Sequence, residues 1–166
     1  MKINIALLTV TDTRTIDNDK SGGILVNKIK EADHNLIDRK ICKDNKDDIV
    51  VILKSWLNNK KIDAIITTGG TGLTGRDITP EALDEIADKH IPGFGEMFRY
   101  ISIKSVGTSS IQSRACAVLS NGKYVFALPG SSGGVTEAWD EILKYQLDIN
   151  HKPCNFVELF PRLKEK

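Results

Sequence analysis

A glycine-rich stretch contains the residues whose types and spacing point most directly to chemistry. Residues 67–83 read TTGGTGLTGRDITPEAL, and Gly70, Gly72 and Gly75 stand at the spacing G-x-G-x-x-G. That spacing is the dinucleotide-binding fingerprint when it follows a strand and opens a helix, because glycine lets the backbone approach a pyrophosphate. The stretch leaves three alternatives, which are a dinucleotide site, a different phosphate or pterin site, or a turn that binds no ligand.

The position of the stretch argues against a dinucleotide. The fingerprint normally follows the first strand of the fold, and its last glycine lies at the start of the helix. Here it follows the third predicted strand, and the predicted helix begins only at Pro80. The acidic residue expected about 20 positions onward would be Glu96, which falls in a turn-helix segment rather than at a strand end. A different phosphate site is favoured, because bare backbone N–H groups and a helix N-terminus both suit anions.

Polar side chains follow each predicted parallel strand. The carboxylates are Asp12, Asp44 and Asp77. Each of them taken alone is typical of a helix cap or a loop. Neighbouring strand ends lie about 4.8 Å apart, so two of these carboxylates could share a magnesium ion. The same loops also supply backbone N–H groups and the hydroxyl groups of Thr11, Thr71, Ser131 and Ser132. Magnesium beside a glycine-rich cradle is typical of transfer at a nucleotide phosphate.

The elements that must position these groups can be read from hydrophobic periodicity. Apolar or alternating runs predict strands at 3–10, 35–41 and 62–68, and a hairpin over 117–129. Apolar stripes and capping signals predict helices over 22–32 with Ser21 as cap, from Asp44 or Asn45 through 58, and over 80–90 with Thr79 as cap. A turn and a helix over 91–102, and a helix after residues 129–134, complete the pattern.

This order predicts an α/β fold with three layers, α/β/α, around a mostly parallel sheet. Asn121-Gly122 suits a two-residue type I′ turn, which adds a short antiparallel hairpin strand. Residues 1–166 are expected to form a single domain, and the apolar residues of the C-terminal tail are expected to pack against it.

Composition excludes several classes of protein. The net charge of +1 gives no strong field for nucleic acid or an anionic membrane. No apolar run reaches the ~20 residues of a membrane span, and the N-terminus does not resemble a signal peptide. Cys42, Cys116 and Cys154 lie too far apart for a zinc motif or a disulfide framework. We therefore expect a cytoplasmic protein.

A combination of motifs, rather than the glycines alone, resembles a known family. The motifs are TGGTG followed by D-x-T-P-E, then PGFGE, the pair Ser113-Arg114, and LPGSSGG. In this order and spacing, from about residue 4 to the C-terminus, the chain is similar to the MoaB/Mog family of molybdenum cofactor biosynthesis. The resemblance implies binding of molybdopterin. In active members, ATP and magnesium adenylylate the terminal phosphate of molybdopterin and release pyrophosphate.

The resemblance also implies roles for individual residues. Asp77 and Asp44 match the acids implicated in catalysis and, tentatively, in holding Mg²⁺. The nucleotide-binding positions are Thr68, Gly69, Gly70, Thr71, Gly72, Pro129, Gly130 and Ser131. The positions on the pterin side are Thr11, Asp12, Asp19, Ser21, Gly22, Ser113 and Arg114.

The sequence leaves open whether the protein catalyses adenylylation and how many copies of the chain assemble. A phosphate oxygen would be the nucleophile, so no strong general base is required, and catalysis would rest on positioning and charge neutralisation. The alternative is a non-catalytic protein that binds or carries molybdopterin. The family implies a homotrimer or homohexamer and contacts with other proteins of the pathway. Phe94, Phe98 and Tyr100 form an aromatic cluster that suits either a core or a subunit interface.

Overall fold

The computed structural model describes residues 1–165 and places the predicted strands in one sheet. The strands are β1 (Asn4–Val10), β2 (Asn35–Cys42), β3 (Ala64–Thr68), β4 (Lys89–His90), β5 (Cys116–Ser120) and β6 (Lys123–Leu128). The helices are α1 (Lys20–Glu31), α2 (Lys46–Asn58), α3 (Thr79–Ile86), α4 (Pro92–Val106), α5 (Ser132–Ala138), α6 (Lys144–Gln146) and α7 (Phe156–Leu159). A 3₁₀ segment (Gly107–Gln112) follows α4, and a π-helical turn (Trp139–Leu143) joins α5 to α6.

The sheet has the order β2-β1-β3-β6-β5-β4, and its first four strands are parallel. Strands β5 and β4 run antiparallel at one edge. Side chains alternate across the sheet, so Leu7 and Phe126 point into a core covered by α1, α4 and α5, whereas Leu8 and Val125 point into a core covered by α2 and α3. The predicted three-layer α/β fold with a mostly parallel sheet is confirmed.

The hairpin between β5 and β6 has the predicted turn. Asn121 and Gly122 both have positive φ, 47° and 71°, as a type I′ turn requires. The C-terminal tail also packs as expected, because the ring of Phe156 stacks on that of Tyr124 with centroids 4.6 Å apart.

Two helix starts differ from the prediction. Helix α1 is capped by Asp19, whose carboxylate accepts a hydrogen bond from the N–H of Gly22, rather than by Ser21, which already lies in the first turn. Helix α3 begins with Thr79 as a helical residue, and Ile78 precedes it without a side-chain cap. The Thr79 hydroxyl donates instead to the carbonyl of Gly69 at 2.8 Å, so it holds the glycine-rich loop.

The end of α3 also differs, because the predicted helix over 80–90 stops at Ile86. The chain then becomes extended, and β4 pairs with β5 through Lys89–Leu119 and His90–Val118. Pairing with the free edge of the hairpin thus overrides the helical pattern of this segment. Helix α4 in turn continues past residue 102 to Val106.

Candidate functional site

The carboxyl ends of the four parallel strands meet at one edge of the sheet. Thr9 of β1 is in register with Thr68 of β3, which is in register with Leu128 of β6. On the other side of β1, Val10 faces Cys42 of β2. The loops that follow these strands therefore converge, as expected for ligand sites in open parallel sheets.

The backbone of the glycine-rich loop requires glycine at two positions. Gly69 and Gly70 have φ of 99° and 67°, a region that favours glycine. A Cβ on Gly69 would lie 2.2 Å from the carbonyl oxygen of Val10, and one on Gly70 would lie 2.4 Å from the Thr79 hydroxyl. The Thr68 hydroxyl donates to the carbonyl of Pro129 at 2.7 Å, which ties this loop to the one after β6. The loop therefore packs closely on its neighbours, with Gly69 buried and Gly70 partly exposed at the strand ends.

Asp77 closes the far side of this loop. Its Oδ2 accepts hydrogen bonds from the backbone N–H of Thr74 at 2.8 Å and from the Thr74 hydroxyl at 2.7 Å. Burial acts to raise the pKa of Asp77, but these bonds, a further one from Gly72 and the charge of Arg114 outweigh burial and lower the pKa below its ordinary value. Asp77 is therefore held as a carboxylate.

Asp44 lies beside Gly70 in an acidic environment. Its Oδ1 is 3.3 Å from the position that a Cβ of Gly70 would occupy. Burial raises the pKa of Asp44 above its ordinary value, and the charges of Asp12 and Asp77 raise it further, while Arg76 opposes them. Asp12 and Asp77 are therefore close enough to Asp44 for their negative charges to act on it.

The donor set fits magnesium rather than a metal held fully by protein. Within residues 1–165, no group of three or more His, Cys, Asp or Glu side chains is arranged to hold a metal ion. Magnesium usually takes one or two carboxylates and completes its shell with water and substrate phosphates. Asp44 and Asp77 provide such a pair next to a backbone suited to phosphate.

Arg114 supports the glycine-rich loop from outside. Its Nε donates to the carbonyl of Gly72 at 2.7 Å, its Nη2 donates to the carbonyl of Asp77 at 2.8 Å, and its Nη1 pairs with Glu81. Its backbone N–H also donates to the carbonyl of Thr71 at 2.9 Å. The sequence predicted Arg114 on the pterin side, whereas these four contacts give its guanidinium and backbone a positioning role in the loop.

Asp19 and Gly22 lie where the start of α1 packs against the end of β1, and their contacts hold these two elements together. The carboxylate of Asp19 is fully buried and accepts from the Thr9 hydroxyl at 2.6 Å and from Arg39 at 3.0 Å. Burial acts to raise the pKa of Asp19, but these hydrogen bonds and the Arg39 charge lower it overall. A Cβ on Gly22 would lie 2.0 Å from the Asp19 carboxylate. Both residues were predicted on the pterin side, and their contacts are with the protein.

Two clefts flank a ridge formed by Gly70, Gly130 and Ser131. The first, here called the polar cleft, has a volume of about 370 Å³ and is further lined by Thr9, Val10, Thr11, Thr13, Arg14, Ser21, Asp44, Thr68 and Gly69. The second, here called the serine cleft, has a volume of about 610 Å³ and is further lined by Thr71, Gly72, Asp77, Phe98, Ser102, Ser105, Val106, Ser109, Ser110, Gln112, Ser113, Pro129, Gly133, Gly134 and Glu137.

The ridge contains residues predicted to bind nucleotide, and it separates those predicted to bind pterin. Thr11 and Ser21 line the polar cleft, whereas Ser113 lines the serine cleft. Asp12 lies beside the polar cleft, where its carboxylate accepts from the N–H of Asp44 at 3.2 Å and pairs with Arg76.

Two site residues were not singled out from the sequence. Arg14 donates to the Ser21 hydroxyl at 2.9 Å and to the carbonyl of Gly130 at 3.3 Å, so it bridges two of the converging loops. The sequence feature that could have indicated Arg14 is its positive charge in the loop that follows the first predicted strand. Glu137 faces the serine cleft from α5, and the sequence carries no signal for it beyond its place on that helix.

The fold and these clefts define a class of protein, a three-layer α/β protein with a glycine-rich loop and clustered carboxylates at the carboxyl end of its sheet. No helix among residues 1–165 is both long and apolar enough to span a membrane. Residues 6–149 match the family described as "Probable molybdopterin binding domain".

Individual relatives agree with this match. The chain is 41% identical over 161 residues to molybdenum cofactor biosynthesis protein B of Escherichia coli K12, covering 97% of this chain and 93% of the relative. A crystal structure of a molybdenum cofactor biosynthesis protein B superposes with a TM-score of 0.89 at 35% identity, covering 100% and 98% of the two chains. The tungsten cofactor synthesizing protein MoaB of Pyrococcus furiosus superposes with a TM-score of 0.79 at 32% identity, covering 88% and 92%. The chain belongs to the MoaB/Mog family of molybdenum cofactor biosynthesis proteins, as its motifs predicted.

Proposed function

We propose that this protein is a molybdopterin adenylyltransferase that uses ATP and magnesium. The observation that carries the proposal is the proximity of Asp44 and Asp77, whose charges act on each other beside the glycine-rich loop Gly69–Gly72. Clustered carboxylates next to a phosphate-binding backbone would repel a nucleotide unless a divalent cation lay between them. Membership of the molybdopterin-binding family supplies the second substrate.

The proposed reaction joins two phosphates. A terminal phosphate oxygen of molybdopterin attacks the α-phosphorus of ATP, a new P–O bond forms, the bond between the α-phosphorus and its bridging oxygen breaks, and pyrophosphate leaves with that oxygen. The attacking oxygen is already ionised, so the protein needs only to align the groups and neutralise charge. Asp44 and Asp77 would hold Mg²⁺, which when bound neutralises the phosphate oxygens.

We place the triphosphate in the polar cleft. Arg14 is the one lysine or arginine among the described residues that line either cleft, and Asp44 lines the same cleft. Arginine pairs well with phosphate oxygens. Backbone N–H groups of the glycine-rich loop would supply further anion-binding groups.

Direct assay of the reaction tests the proposal. The protein is incubated with purified molybdopterin, ATP labelled at the α-phosphate, and magnesium chloride. We expect label in adenylylated molybdopterin and one pyrophosphate per product. Absence of labelled pterin, under conditions in which an active relative gives product, would refute the proposal.

A non-catalytic carrier of molybdopterin is the second candidate. The observation that favours it is the engagement of Asp77 Oδ2 by two hydrogen bonds from Thr74, which leaves this oxygen less available for a metal. Calorimetry that detects molybdopterin binding, combined with no ATP-dependent product, would favour the carrier. Release of pyrophosphate that depends on molybdopterin would exclude it.

We further propose a cytoplasmic homotrimer or homohexamer that contacts other proteins of the cofactor pathway. Phe94 and Phe98 of the aromatic cluster lie in the core, but Tyr100 is exposed. Tyr100 belongs to a stripe on α4 with Met97, Ile103 and Val106, each more than half exposed and three residues apart. Such a patch is typical of a protein interface. Light scattering should give a mass of three or six chains, and a monomer would contradict the proposal.

A further inference from the structure

Glu137 places a carboxylate in the serine cleft. The residue lies on α5, and its Oε2 accepts a hydrogen bond from the Ser102 hydroxyl at 3.0 Å. Ser102 is itself buried on α4, so this bond joins the two helices that form the wall of the cleft. The contact engages Oε2, and no hydrogen bond to Oε1 is found among the described residues.

The surroundings of Glu137 do not neutralise its charge. No lysine or arginine among the described residues lines the serine cleft, and Glu137 makes no ion pair within 4.0 Å in residues 1–165. The other lining carboxylate, Asp77, is engaged by Thr74. Glu137 is partly buried and lines the same cleft as the apolar side chains of Phe98 and Val106, so its carboxylate can accept hydrogen bonds from a ligand held against them.

The chemistry of a carboxylate selects the kind of ligand edge it can bind. An ionised carboxylate is only an acceptor, and its two oxygens pair best with two adjacent donors. The pyrimidinone ring of a pterin presents such a pair, the N3–H and the 2-amino group. The edge of adenine alternates donor and acceptor, a pattern that an amide side chain matches better.

We propose that Glu137 is a specificity-determining residue that binds the N3–H and 2-amino edge of the pterin, with Ser102 as its positioning residue. This inference rests on the proposed function, because it assigns molybdopterin to the serine cleft and the nucleotide to the polar cleft. The two substrates then meet at the ridge of Gly70, Gly130 and Ser131, which lines both clefts. The reacting phosphates come together beside the glycine-rich loop.

The test compares two small probes, a pterin and the corresponding lumazine, in which an oxygen replaces the 2-amino group. Affinities are measured by fluorescence quenching with the full chain. The wild type should bind the pterin more tightly than the lumazine. Glu137→Gln should weaken pterin binding by about tenfold to a hundredfold and remove the preference, because an amide offers one acceptor and adds a donor.

Glu141→Gln is the matched control. It removes the same charge one turn further along from an exposed position that does not line the cleft, so it should behave like the wild type. Ser102→Ala should reduce the preference for pterin without removing it. The substitution removes the hydroxyl that positions the Glu137 carboxylate, but the carboxylate itself is still present. Thermal melts of each variant confirm that the comparison is made between folded proteins.

Each outcome separates the inference from the proposed function. An unchanged preference for pterin in Glu137→Gln would overturn the inference even if the enzyme transfers AMP. A raised KM for ATP with unchanged pterin affinity would overturn it as well, because Glu137 would then face the nucleotide. Loss of the pterin preference in Glu137→Gln, when the wild type prefers the pterin but transfers no AMP, would sustain the inference and refute only the transferase.

Discussion

The polar cleft and the serine cleft share a ridge but differ in what lines them. The polar cleft has charges of both signs, Arg14 and Asp44, and a backbone rich in N–H groups. The serine cleft is larger and has serine hydroxyls, the apolar side chains of Phe98 and Val106, and the carboxylate of Glu137, which has no ion-pair partner among the described residues. Mixed charges and bare backbone suit phosphates, whereas apolar side chains with a few polar groups suit a flat ring. The difference is the basis for assigning one substrate to each cleft.

The supports of the two clefts differ as well. The polar cleft is supported by an ion pair between the buried Asp19 and Arg39. Asp19 also caps α1. The wall of the serine cleft is joined by a neutral hydroxyl that donates to Glu137. Damage to the first support should therefore affect the whole fold, while damage to the second should affect ligand choice.

Loss of the Asp19 carboxylate should have the largest effect. Asp19→Ala leaves the largely buried Arg39 without its partner and removes the cap of α1, which should lower the free energy of unfolding by about 3 kcal/mol. Urea unfolding measures the change. Glu31→Ala, at the exposed end of the same helix, is the control and should change stability little. Equal stability of Asp19→Ala and the wild type would contradict the structural role.

The pH dependence of stability should report the same carboxylate. The pKa of Asp19 is lower in the folded protein than its ordinary value of 3.8. Its stabilising contribution is therefore fully present above about pH 4 and is lost as the pH falls toward the folded pKa. Acid unfolding of the wild type should be steeper below pH 4 than that of Asp19→Asn, and parallel curves would argue against the ion pair.

Loss of the Asp44 carboxylate should have the next largest effect, on turnover. Asp44→Asn removes a proposed magnesium ligand and should lower kcat by about 10²–10³-fold, with pterin affinity unchanged because Asp44 lies in the other cleft. Adenylylation assays at saturating substrates measure kcat. Asp47→Asn, an exposed residue in the first turn of α2, is the control. Wild-type turnover in Asp44→Asn would exclude Asp44 from the metal site.

Loss of Arg14 should raise the KM for magnesium-ATP by about tenfold, since one charge-assisted hydrogen bond is removed. Pterin affinity should not change. Arg76→Gln removes a charge from a more exposed side chain, so its effect should be smaller. An equal loss of affinity for both substrates would contradict the assignment of one substrate to each cleft.

The smallest expected effect is a gain in stability on neutralising Asp44. Its pKa is raised in the folded state above the ordinary value of 3.8. Stability that depends on its protonated form is present below about pH 3.8 and is lost as the pH rises through the folded pKa. Asp44→Asn should therefore have a higher Tm than the wild type at pH 7 and a similar Tm near pH 3. A lower Tm at pH 7 would show that repulsion from Asp12 and Asp77 is not the dominant effect.

Much of the fold followed from local patterns. Buried runs and alternation located the strands, and Asn121-Gly122 gave the hairpin turn, because both features depend on near neighbours in the chain. The end of α3 did not follow, because pairing of β4 with β5 is a contact between segments far apart in sequence. Capping was wrong at Thr79 because its hydroxyl donates to Gly69 across the loop. It was wrong at Ser21 because Asp19, two residues earlier, caps α1.

The location of the candidate site could be predicted from the sequence. The directions in which its side chains point could not. Strand order alone brings Asp44 and the glycine-rich loop to one edge of the sheet. Whether Arg114 faces a ligand or the loop carbonyls depends on how the segment before β5 packs on α3. The position of Glu137 in a cleft depends on the rotation of α5 against α4, which the apolar stripe of α5 does not determine.

Transfer of AMP from ATP to molybdopterin is the most direct measurement of the central claim. With ATP labelled at the α-phosphate, we predict label in the pterin product, dependence on magnesium, and loss of product in Asp44→Asn. Binding of molybdopterin without transfer of label, while an active relative forms product beside it, would contradict the claim and leave a protein that binds the pterin without modifying it.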